Sequence, residues 1–196
     1  MPGTPPPIQT EAEGLVVYLR QQRDGLLNAA FGLSEDQLRS KPSVSALSVG
    51  GLLKHAAQTE RQWVDMIVGD GQAPGSEQAY VDSFALHETD TLASLRAELQ
   101  RTAAATEEVV AALPDLGVEV QLAEGPWYPR GGGYTARWIL LHVLEELSRH
   151  AGHADIVREH IDGATMYELM AAVEGWPANE WITPWRPPEA AVGPRD

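Results

Sequence analysis

ARWILLHVLEELSRHAGHADIVREHI, residues 136–161, is the stretch that decides the fold. Stepped at about 100° per residue from Trp138, its apolar side chains Ile139, Val143, Leu147, Ala154 and Val157 gather on one face centred at about 150°. That recurrence predicts a long amphipathic helix. Thr135 stands where an N-cap belongs, and Gly163 falls just past the last periodic residue.

Three more segments read the same way. Residues 90–113 carry the stripe Leu92, Leu95, Leu99, Ala103, Val109, Val110 and Leu113, stopped before Pro114. Residues 49–68 follow Ser48, a candidate N-cap, with Leu52, Ala56, Trp63 and Ile67 in register. Residues 11–32 follow Thr10, which with Glu13 has capping-box spacing. A weaker fifth segment covers 166–173. Nine of the fourteen prolines crowd into the two ends of the chain, leaving a body that can be helical. The predicted organisation is a flexible N-terminal tail (1–9), a bundle (10–175) and a Pro/Trp-rich C-terminal tail (176–196). The connections 69–88 and 114–134 are long, as functional loops often are. VEVQL, residues 118–122, alternates like a strand but has no evident partner. The fold class is therefore all-α: a four-helix bundle with long crossover loops.

The 196 residues include no cysteine, and 28 acids oppose 14 bases for a net charge of -14. A chain without cysteine has no disulfide framework, no thiolate-ligated metal and no cysteine nucleophile. The negative charge opposes binding to phosphate backbones and to anionic lipid. The first ten residues lack the basic and apolar regions of a signal peptide, and no run reaches the ~18 apolar residues of a membrane span. A cytoplasmic location is expected, with no nucleic acid and no membrane as partner.

Chemistry points to the histidines. Four of the six lie on the 136–161 helix. On the wheel His150 falls at about 120°, inside the apolar face, and Glu146 at about 80°, on its border. His142, His153 and His160 lie further round. A carboxylate and an imidazole at i and i+4 are neighbours, and a charge tilted inward is costly unless paired or bound to a metal. His55, in LLKHAAQTERQW, borders the apolar stripe of its own helix. These residues could form a metal site at one end of the bundle. Glu146 and His150 could equally be an intrahelical ion pair, and His55 a hydrogen-bonded half-buried histidine. No HExxH motif is present.

LSVGGLLKHAAQTERQW, followed by WILLHVLEELSRHAGHADIVREHIDG, resembles the DinB/YfiT-like superfamily of four-helix metalloproteins. More specifically it resembles the branch that includes mycothiol-dependent S-transferases and mycothiol-dependent maleylpyruvate isomerase. The likeness covers roughly residues 10–175. It implies a divalent metal, zinc or nickel, held by His55, Glu146 and His150, and it makes a homodimer possible. Three nitrogen and oxygen ligands leave a position open, as in catalytic zinc sites. With no cysteine in the chain, any reacting sulfur must come from a small molecule. The expected function is thus a metal-dependent thiol transferase that activates a low-molecular-weight thiol such as mycothiol for an electrophilic small molecule. A sugar thiol of this kind needs polar contacts; Arg61, Tyr134, Arg137 and His142 are the candidates, with Gln58 and Gln62 beside them. Trp63 and Trp138 read as core aromatics near the site, and His142 and His153 as partners that could orient the ligands. WYPRGGGY, residues 127–134, could form a lid. A zinc hydrolase using metal-bound water, a non-catalytic metal- or ligand-binding bundle and a metal-free structural homodimer are the competing readings.

Overall fold

The computed structural model describes residues 3–69, 77–122 and 133–187. Among them are seven helices: α1 (Glu11–Ala29), α2 (Glu35–Arg39), α3 (Val49–Ile67), α4 (Glu77–Ser83), α5 (Leu92–Ala112), α6 (Ala136–Asp162) and α7 (Met166–Glu174). The four long ones, α1, α3, α5 and α6, are the predicted bundle, and α7 is the weaker fifth segment.

Local chemistry sets their ends. The Thr10, Ser48, Thr91 and Thr135 hydroxyls accept the free N–H groups of Glu13, Gly51, Ser94 and Trp138, which no helical carbonyl can reach. Gly163 closes α6 at φ 79°, a left-handed conformation that side chains with a Cβ avoid. α6 packs on both α1 and α3, α3 packs on α5, and α7 lies against α1. Leu19, Leu26, Leu52, Leu53, Leu99, Ile139, Leu140 and Leu147 fill the space between them.

The 118–122 segment does not become a strand. It makes one antiparallel bridge, Glu119 to Thr135. Val120 N–H donates to the Tyr134 carbonyl at 2.9 Å, and Ala136 N–H to the Val118 carbonyl at 3.0 Å. The ladder ends there because its partner turns into α6 at Ala136. α2 and α4 were not foreseen. Each is too short to show a helical period, though Ser34 and Gln37 form a full capping box on α2.

Two buried arginines tie the long helices together. Arg23 of α1 grips Glu60 of α3 through Nε–Oε2 (2.8 Å) and Nη2–Oε1 (2.5 Å), and Thr106 of α5 donates to the same carboxylate at 2.6 Å. Arg158 of α6 donates to the carbonyls of Ala29 (2.8 Å) and Phe31 (2.7 Å), which lie beyond the hydrogen-bonding reach of α1 itself. The C-terminal tail returns over this point. The Trp185 ring lies 4.9 Å from the Arg158 guanidinium, edge-on to Phe31, and the Trp185 backbone N–H donates to the Glu168 carbonyl at 2.9 Å. At the other terminus, Gln21 of α1 donates to the Gly3 carbonyl at 3.2 Å.

Candidate metal centre

α3 brings one ligand candidate and α6 two. One donor atom each from His55, Glu146 and His150 lies within 4.8 Å of the other two. His150 Nε2 is 3.4 Å from Glu146 Oε2. Ligands at 2.0–2.1 Å from a tetrahedral ion stand about 3.3–3.4 Å apart, so this edge already has the required span. Side-chain rotation of roughly an ångström brings in the widest one. His55 is 2 % exposed and His150 6 %, while Glu146 keeps its outer edge open. The donors thus form a closed floor with one accessible side, suited to an ion with a free position.

Their protonation states fit the same role. Burial pushes the His55 imidazole down to about 4, helped by neighbouring His150 and partly opposed by Glu146. A hydrogen bond from His150 holds the Glu146 carboxyl below its usual range, against the effect of its own burial. A neutral imidazole and an ionised carboxylate are the forms that ligate metals.

These shifts give a pH prediction for the metal-free protein. His55 has a folded value near 4 and an unfolded value of 6.5. Between them the unfolded chain binds more protons, so stability falls as pH drops from 6.5 to 4. The effect is on the order of 3 kcal/mol. Asp155 runs the opposite way, because burial and Glu159 raise its carboxyl to about 6; its contribution falls as pH rises from 3.8. The measurement is therefore a difference. Denaturant unfolding at pH 7 and pH 4 should show a smaller drop in His55→Gln than in wild type.

The crossover after α3 covers His55. Phe84 stacks on the imidazole with centroids 3.8 Å apart and planes 16° apart, and Tyr80 meets it edge-on at 5.5 Å. Ser83 Oγ lies 2.7 Å from His55 Nδ1. Two α3 glycines admit this cover. A Cβ on Gly51 would stand 2.3 Å from the Phe84 carbonyl oxygen, and one on Gly50 2.7 Å from Leu86. Lys54 pins the segment by donating to the Ala85 carbonyl (2.8 Å) and to Asp90 (3.0 Å). The sequence reading missed Tyr80, Ser83 and Phe84. The signals were present: a glycine pair one turn before His55, and a serine followed by one aromatic and preceded three residues earlier by another, inside the 69–88 connection.

The remaining candidates fall into two groups. Tyr134, just before α6, lines up with Trp138 and His142 on α6, with centroids 4.7 Å and 5.3 Å apart, and Trp63 of α3 closes on His142 at 4.4 Å. This half-buried aromatic row leads to the cluster: His142 Nε2 is 3.9 Å from Glu146 Oε1. His153 Nδ1 is 3.5 Å from His150 Nδ1. Arg61 and Arg137 turn elsewhere. Arg61 binds Glu98 of α5 and lies 3.4 Å from Thr102; Arg137 makes a two-point pair with Glu11 of α1, at 2.6 and 3.0 Å. Gln58 is exposed and Gln62 half-buried. The lid expected at 127–134 lies outside the described residues, apart from Gly133 and Tyr134. Among the described residues no helix is long and apolar enough to cross a membrane.

Fold and site together define a DinB-like all-α protein with a candidate two-histidine, one-glutamate metal centre. A family model described as mycothiol-S-transferase matches residues 14–163, and the chain belongs to that family. A solved structure described as a conserved protein from Enterococcus faecalis is similar in fold. Its TM-score is 0.58 at 15 % identity, covering 80 % of this chain and 100 % of that one. No curated protein sequence matches the chain.

Proposed function

We propose that the protein is a divalent-metal-dependent thiol transferase acting on a low-molecular-weight thiol, mycothiol by the family it belongs to, and an electrophilic small molecule. The convergence of His55, Glu146 and His150 in a chain without cysteine carries the reading. Zinc, or nickel, fits a donor set of two imidazoles and a carboxylate. Such an ion supplies a Lewis acid that keeps a bound thiol deprotonated near neutral pH, and the thiolate is the nucleophile.

The chain's own part is to hold and shield. His55 and Glu146 present ligand atoms that need no deprotonation at pH 7. Phe84, against both the His55 and His150 rings, excludes water from that side, which strengthens every charge interaction within. His142 on α6 and Tyr134 just before it, both half-buried, are where the polar body of the thiol would lie. Arg61 and Arg137 would join only by releasing Glu98 and Glu11. The cytoplasm, where small thiols are kept reduced, is the proposed setting.

The test is a paired assay. Purified protein with zinc, mycothiol and an electrophile such as monochlorobimane should consume the thiol in proportion to enzyme. Ester and amide substrates without thiol should give no turnover. Hydrolysis without thiol would move the protein to the hydrolase reading. Metal binding without turnover in either arm would make it a binding protein.

A further inference from the structure

The crossover helix does more than cover the cluster. A hydroxyl owns one proton. Ser83 Oγ lies 2.6 Å from the Tyr80 carbonyl and 2.7 Å from His55 Nδ1. A carbonyl only accepts, so the Ser83 proton goes to Tyr80. At His55 the hydroxyl must then accept, and Nδ1 must be the atom that donates. The lone pair of the ring is left on Nε2. The other contact agrees, since the Thr59 hydroxyl lies 3.2 Å from Nε2 and can donate to it. An ion taking that lone pair displaces the Thr59 proton and leaves the Ser83 contact intact.

We propose that Ser83 is a positioning residue: acting through His55, it fixes the Nδ1–H tautomer and so commits Nε2 to the ion shared with Glu146 and His150. This rests on reading the cluster as a metal site. Phe84, stacked on the ring face, sets its tilt, and Ser83 sets its rotation about Cβ. The backbone anchors of the segment, Lys54 to the Ala85 carbonyl and the close approach at Gly51, hold the hydroxyl where the ring needs it. A metal-bound imidazole is commonly oriented by such a partner on its second nitrogen, and losing it lowers affinity about 10–100-fold. Here that partner comes from a seven-residue helix in a connection, outside the four helices of the bundle.

Two measurements on full-length protein test this. The first is zinc affinity by chelator competition for wild type, Ser83→Ala and Ser83→Thr. The second is long-range 1H–15N spectroscopy of histidine-labelled, metal-free protein at pH 7.5, which tells Nδ1–H from Nε2–H. Wild-type His55 should be the Nδ1–H tautomer. Ser83→Ala should bind zinc about 10–100-fold more weakly and show His55 in mixed tautomers, whereas Ser83→Thr should restore both. Wild-type affinity in Ser83→Ala, or an Nε2–H signal in the wild type, overturns the proposal. If the wild type binds no zinc, the metal reading fails by itself, and the tautomer spectrum still decides whether Ser83 sets the ring. Should Ser83→Ala not fold, Ser83→Gly, which also removes the hydroxyl and adds no ligand, takes its place with the same outcomes.

Discussion

Elemental analysis of tag-free protein is expected to find close to one divalent ion per chain in the wild type, and almost none in His55→Ala or Glu146→Ala. The reason is the number of ligands. Three side chains are near enough to share an ion, and removing one leaves a two-ligand site. The loss should exceed the roughly 100-fold that marks outer partners. Glu146→Gln should fall between, since an amide oxygen still ligates but brings no charge to offset the ion. His55→Ala also opens a gap beneath Phe84, so circular dichroism must show the fold intact before the result is read. Equal metal in all three proteins would refute the site, however well the geometry fits.

The sequence revealed some of this because certain relations are local. α6 was legible because twenty-seven residues give its apolar face several turns in which to repeat. Glu146 and His150 were legible because i, i+4 spacing places them together whatever the rest of the chain does. His55 joins them across the α3–α6 interface, and no periodicity reports a contact between helices; the family resemblance supplied that link. α4 was hidden for a related reason. Its seven residues are too few to hold a helix by propensity, and it is placed by Gly51, Lys54 and the His55 ring. Arg23, Glu60 and Arg158 look like ordinary surface charges in QQRDG, QTERQ and VREHI, and only tertiary structure shows them buried. The C-terminal tail had no legible role, because Trp185 docks on a cation set by α1 and α6 together.

The largest stability effect expected away from the metal centre is at Glu60. Its side chain is fully buried, and that of Arg23 is 4 % exposed. The pair is a link between α1 and α3, with Thr106 of α5 on the same carboxylate. Desolvating two charges is expensive, so the intact pair contributes little net stability relative to apolar residues of the same volume. Breaking it is another matter. Glu60→Ala leaves a buried guanidinium with no counter-charge, and Arg23 Nη1 has no hydrogen-bond partner among the described residues even in the wild type. The expected loss is about 3–5 kcal/mol, read as a lower denaturant midpoint at unchanged slope. That is a large share of the 5–15 kcal/mol typical of a domain. The double variant Arg23→Met/Glu60→Leu should recover most of it, because no charge is then buried. Thr106→Val should lose about 1–3 kcal/mol, the cost of one charge-assisted hydrogen bond. A groove of about 320 Å³ lined by Arg20, Arg23, Leu99 and Glu107 runs between α1 and α5. If Glu60→Ala loses less than about 1 kcal/mol, far below a broken buried pair, Arg23 has swung into that groove to reach water or Glu107. Glu107→Ala added to Glu60→Ala would then restore the full penalty if Glu107 is the new partner, and leave it unchanged if water is.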